Sequence, residues 1–136
     1  MNTKRKEKPK MKAKTIVLLL MALTIIVVAC TPKDNEPDNS EKSFILEVTY
    51  EDGSVNSYTV NTTEATVGAA LLEEGLIEGT TSSMGLMVSH VNGVRADFVE
   101  DGAYWMFVID GEMAMVGVDS TNIEEGVIYA FVYTPA

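Results

Sequence analysis

The sequence predicts an α+β domain: a mixed sheet with one helix packed across it and a hairpin-rich second half. Three observations carry this. Asp110-Gly111 lies between two apolar-rich runs, and Asp-Gly suits a two-residue type I′ hairpin turn, where both central residues need positive φ. Segment 66–75 has helical spacing with a cap at each end. Segment 126–133 alternates Val127, Tyr129, Phe131 and Tyr133 against Ile128, Ala130 and Val132. Apolar residues on both faces argue for a central strand.

The chain opens with a basic stretch: seven of its ten Lys and Arg residues precede position 15. Residues 15–29 then carry no charge and end at Ala29-Cys30. A basic region, an apolar run of this length and a small residue before the cut describe a signal peptide. A spanning helix needs roughly 20 apolar residues. An uncleaved single-span anchor is the alternative. Val27-Val28-Ala29-Cys30 resembles a bacterial lipobox, in which the cysteine becomes the lipidated N-terminus. A diacylated thiol anchors stably, because two buried acyl chains hold where one does not. Cys30 is the sole cysteine, so no intramolecular disulfide or cysteine zinc site can form.

The expected organisation is a lipoprotein signal peptide at 1–29, the lipidated cysteine with an acidic linker at 30–42, and one domain at 43–136. The linker holds two prolines and almost nothing apolar, so it cannot bury a core. Residues 1–29 carry a net charge of +6 and the whole chain −10, which leaves −16 beyond the cut. Three basic residues remain there: Lys33, Lys42 and Arg95. Nucleic acid is therefore excluded as a partner, since phosphate affinity needs clustered Lys and Arg. The expected location is the extracytoplasmic face of a cell membrane, held by the lipid.

Within the domain, 44–50 and 55–60 read as strands joined by a turn at 51–54. In the helix, Thr66 caps the first turn and Gly75 suits the left-handed position after the last. Val67, Ala70 and Leu71 share one face, and Leu76 packs back on Leu71. Gly68, Ala69 and Ala70 suggest close approach to a sheet. Segment 79–85 reads as a polar loop and 86–92 as a strand with a turn at Asn92-Gly93. Segment 94–100 is ambiguous. In the hairpin, Ile109 is expected to face Glu112, Phe107 Ala114 and Trp105 Val116. On the other side Val108 faces Met113, Met106 faces Met115 and Tyr104 faces Gly117. Segment 118–125 reads as a polar connection.

No catalytic constellation is present. There is no Gly-x-Ser-x-Gly, and His90 is the sole histidine, so an enzyme is not expected. A hydrogen-bonded structural role is expected for His90 ahead of a ligand role. Asp110, Glu112, Asp119, Glu124 and Glu125 could gather near the hairpin end, but not at calcium-loop spacing. They read as solvated turn residues first and a weak cation site second. Trp105 divides evenly between core residue and stacking surface. Met106 and Phe107 read as core.

Residues 85–93, then Tyr104-Trp105 with Phe107, then Gly117-Val118-Asp119, then the closing aromatic strand resemble the C-terminal domain of transcobalamin and intrinsic factor. They resemble still more the bacterial lipoproteins of unknown function that share that domain. The helix segment 65–72 also fits. The resemblance covers the whole domain and implies a β-grasp-like fold and one face of a corrinoid-binding cleft. It places Tyr104, Trp105, Gly117, Val118 and Asp119 by that cleft, with Met87 or His90 contributing from the flanking strand. No cofactor is implied beyond a corrinoid as ligand. The large helical domain that forms the other face in those carriers is not in this sequence. A transporter, a surface-protein partner or a second copy would then close the site. The expected function is a lipid-anchored extracytoplasmic binding module for a corrinoid. The competing one is a protein- or glycan-interaction module of a cell-surface complex.

Overall fold

The computed structural model describes residues 39–136. The expected leader 1–29, Cys30 and most of the linker lie outside the described residues. The elements in order are β1 (Lys42–Thr49), β2 (Val55–Thr62), α1 (Val67–Glu73), β3 (Ile77–Ser82), β4 (Gly85–Val91), β5 (Val94–Arg95), β6 (Ala103–Ile109), β7 (Glu112–Met113), a 3-10 turn (Val118–Ser120) and β8 (Ile128–Pro135). They form a five-stranded sheet, β2-β1-β8-β6-β7, and a three-stranded sheet, β3-β4-β5. β1 and β8 run parallel and the other pairs antiparallel, so the larger sheet is mixed and the class is α+β.

β8 is central, as its two apolar faces demand. Leu46 and Val48 sit beside Tyr129 and Phe131 on one side, and Phe107 and Trp105 beside Phe131 and Tyr133 on the other. Period-two alternation turns all of these side chains to one face. That face meets α1, whose Val67, Ala70 and Leu71 are fully buried. Burying a side chain the size of Val67 or Leu71 contributes about 1.5–3 kcal/mol. Both helix ends close as expected. Thr66 Oγ1 accepts the Ala69 N–H at 3.3 Å. Gly75 (φ +67°) ends the helix, its N–H donating to Leu72 at 3.1 Å while that of Leu76 donates to Leu71 at 2.9 Å. That pair of bonds is the Schellman arrangement.

Three expectations are corrected. Segment 79–85 is not a polar loop: residues 77–82 are β3, which pairs with β4. After Ile77 every residue of β3 is exposed, so no apolar alternation marks it as a strand. Gly79 lies at a bulge, where a Cβ would stand 2.2 Å from the Met87 carbonyl oxygen. The 110–111 hairpin is shorter than expected. Asp110 (φ +49°) and Gly111 (φ +84°) make the turn, and Ile109–Glu112 and Val108–Met113 pair. The Ala114 N–H still reaches the Phe107 carbonyl at 3.0 Å, and pairing stops there. Met106 with Met115, Trp105 with Val116 and Tyr104 with Gly117 do not pair; the long partner of β6 is β8. The chain leaves the sheet because Val118 is drawn into the core. There the helix meets it. A Cβ on Gly68 would be 2.8 Å from Asp119 Cα, so Gly68 admits the 3-10 turn and not a sheet.

Candidate functional site

The expected site residues fall into three places. Trp105 lies in the core, 6% exposed, with Nε1 donating to the Val94 carbonyl at 3.0 Å. Its ring stands edge-to-face with Tyr50 (6.2 Å) and Tyr133 (5.4 Å). An indole so placed is fully engaged as a core residue. Tyr104 points the other way, as its neighbour on a strand must. It is 37% exposed on the outer face of the larger sheet, 6.4 Å from the Phe98 ring.

Met87 and His90 belong to β4. Leu86 and Val88 pack on the core and Val91 is buried within it. The register shift between Glu78 and Gly79 skips Ser89, which leaves Met87 and His90 together on the outward side. Met87 is 57% exposed. His90 Nδ1 lies 3.0 Å from the Ser89 hydroxyl.

Gly117, Val118 and Asp119 form the third place, and the structure joins it to the start of β4. The Asp119 carboxylate rests between two residues that have no side chain. A Cβ built on Gly85 would be 3.0 Å from both carboxylate oxygens, and one on Gly117 would be 2.7 Å from Oδ1. Among the described residues, Asp119 Oδ1 is the buried side-chain oxygen that lacks a hydrogen-bond partner. Buried polar atoms are nearly always paired, so this atom is set apart from the rest of the domain. The carboxylates near the hairpin do not assemble with it. Asp110 Oδ1 instead accepts the Ile128 N–H at 2.9 Å. Among the described residues, no group of three or more His, Cys, Asp or Glu side chains is placed to hold a metal ion.

A fourth cluster was not singled out by the sequence. The Tyr50 hydroxyl receives the Asn92 amide at 2.8 Å and the Asn56 amide at 3.4 Å, and lies 3.5 Å from the Tyr58 hydroxyl. Burial opposes ionisation of Tyr50, but the bonds to Tyr58, Asn92 and Asn56 outweigh it and hold its pKa below the ordinary phenol value. The Tyr58 pKa is raised, first by its bond to Tyr50 and then by burial. Beside this cluster lies a hollow of about 410 Å³ at the end of β1. Asn92 and Tyr50 are 42 positions apart, so no local pattern could reveal the pairing.

Residues 66–128 match the profile of DUF4430, a domain of unknown function. No curated protein matches the chain. Among solved structures, the chain is similar to a "putative metal binding protein" from Ruminococcus gnavus ATCC 29149. The identity is 23% and the TM-score 0.66, over 71% of this chain and 99% of that one. It is also similar to haptocorrin in complex with Cbi, at 16% identity and a TM-score of 0.60. That match spans 74% of this chain but 27% of haptocorrin. At such identities the likeness is one of fold: residues 66–128 resemble DUF4430, and the domain shares its fold with the Ruminococcus gnavus protein and with part of haptocorrin.

Proposed function

We propose that this protein is a non-enzymatic, extracytoplasmic binding module, anchored by lipid at Cys30, whose ligand is a corrinoid. The fold likeness to haptocorrin supports this, and so does the basic-then-apolar leader ending at Cys30. Within the α+β class we read the fold as β-grasp-like. The support is the order β2-β1-β8-β6-β7 with β1 and β8 parallel at the centre and a helix after β2.

The observation that carries the ligand reading is Asp119 Oδ1. It is buried, unpaired and packed closely against Gly85 and Gly117, whose missing side chains admit the carboxylate. A corrinoid carries amide N–H groups on its rim, and one such donor would satisfy this oxygen once the exposed Gly117 segment moves aside to uncover it. Gly117 and Met87 would border the ligand, while Val118, buried in the core, anchors the turn beneath it, and a transporter or surface-protein partner would cover the side that the domain leaves open. Small-molecule sites bury most of their ligand, so the domain alone binds weakly.

The test is calorimetry of the full chain in detergent with cyanocobalamin and cobinamide. Saturable heat is expected, with Asp119→Ala weakening it about tenfold to a hundredfold, the scale of one hydrogen bond to a charged group. Absence of heat with both ligands at millimolar concentration overturns the corrinoid reading. Anchoring is tested separately: Cys30→Ser should abolish lipid labelling and leave the precursor unprocessed.

The alternative, a protein-interaction module, is favoured by one observation. The outer face of the larger sheet exposes Ile45, Tyr104, Met113 and Ile128, with Phe98 beside Tyr104. Contiguous apolar surface of this kind marks contact sites on soluble domains.

A further inference from the structure

The hollow at the end of β1 has chemistry of its own. Tyr50 and Tyr133 form its apolar wall, and Asp52, Ser54, Glu51 and Arg95 line its rim. The two rings cannot swing away. Both stand edge-to-face against the buried Trp105, and the Tyr50 hydroxyl is held by Asn92. The rim is ordered too. Asp52 Oδ1 accepts both the backbone N–H (2.9 Å) and the hydroxyl (2.6 Å) of Ser54. Arg95 is fixed from behind by Glu100 and by Asp101, the latter at 3.4 Å.

Charge then decides between ligand classes. Glu51 and Asp52 oppose an anion. Arg95, though paired with Glu100 and Asp101, keeps guanidinium N–H groups outside those two contacts. A neutral ligand that offers hydroxyl donors and acceptors side by side suits both, because a carboxylate takes the donors and a guanidinium serves the acceptors. Its body must also have an apolar face to lie on an aromatic ring. A pyranose has both properties. At about 410 Å³ the hollow falls within the range of small-ligand sites.

We infer that this hollow is a carbohydrate site, which takes a neutral pyranose at the exposed end of a glycan, stacked on Tyr133 with its hydroxyls on Asp52 and Arg95. The lining shares no residue with Met87, His90 or the Asp119 junction, so this site stands apart from the corrinoid reading. It would give a surface-tethered domain a second hold, on a polymer instead of a small molecule.

The experiment is an NMR titration of the full, isotope-labelled chain in detergent. The probes are cellotriose, maltotriose, chitotriose and mannotriose, up to about 50 mM, beyond the millimolar affinity of a shallow contact. At least one sugar should give saturable shifts of the backbone amides at 50–54 and 94–95. Tyr133→Leu, which keeps an apolar side chain, should weaken binding about tenfold. Asp52→Ala and Arg95→Gln, at exposed positions, should each weaken it about fivefold with the thermal midpoint unchanged. No saturable shift at those amides with any of the four sugars overturns the inference, as does a shift that persists undiminished in Tyr133→Leu. Cyanocobalamin added to the same sample reports on the amides at 85 and 117–119 instead, so either site can fail without the other.

Discussion

The two sheets of this domain are built on different terms. In the five-stranded sheet, β8 lies between β1 and β6, and its Tyr129 and Phe131 are almost wholly removed from water. The three-stranded sheet puts Ile77 and Val91 into the same core, but most of its remaining surface is exposed. The first sheet is held by packing and the second by its hydrogen-bond ladder and a few inward side chains. A substitution should therefore cost far more in β8 than at an outward position of β3.

The largest effect is expected at Phe131, which touches both neighbouring strands and stands 5.2 Å from the Phe107 ring. Phe131→Ala should destabilise by about 3–5 kcal/mol, and Thr80→Ala on β3 by under about 0.5 kcal/mol. Denaturant midpoints of the two variants check the contrast, and equal midpoints would dissolve it. A smaller effect is expected where β3 meets β4. Gly79→Ala forces a Cβ onto the Met87 carbonyl, a backbone contact that cannot rotate away. The expected cost is about 1–3 kcal/mol, the scale of local overpacking. Hydrogen exchange should show it confined to β3 and β4, with β1 and β8 still protected; loss of protection throughout would mean the sheets do not open separately.

The smallest effect concerns Tyr129. Its hydroxyl donates to the Asn122 carbonyl at 3.1 Å and accepts the Glu124 N–H at 3.0 Å. Burial raises its pKa above the ordinary phenol value. The unfolded chain then ionises first, so this contribution is complete below about pH 10 and is lost as pH rises through the folded pKa. Tyr129→Phe should cost about 1 kcal/mol at neutral pH and flatten the fall in stability in alkali. An unchanged alkaline slope would place the titrating group elsewhere.

The same contrast explains what could be read in advance. The five-stranded sheet was legible because burial writes itself into alternation: Tyr129, Phe131 and Tyr133 name their own face. The caps of α1 were legible because Thr66 and Gly75 are local chemistry. β3 was not, since a strand that buries Ile77 alone leaves no periodic trace. The end of the β6–β7 pairing was not either, because it depends on Val118 finding the core beside Gly68, far off in sequence. The candidate site residues were named singly, and their placement in three separate parts of the fold was not legible. Tyr104 and Trp105 are adjacent in the chain and therefore on opposite faces, while Gly85 and Gly117 converge on one carboxylate.

The parallel pairing of β1 with β8 joins the first and last strands of the described domain, so Leu46 meets Tyr129. The order of events during biogenesis follows from this. The β1–β2 hairpin can form early, but the larger sheet cannot close until the carboxyl-terminal strand has been synthesised. Such long-range closure is slow, because the loop entropy must be lost before any contact rewards it. The larger sheet therefore stays open, with β1 lacking its parallel partner, until the last described strand arrives.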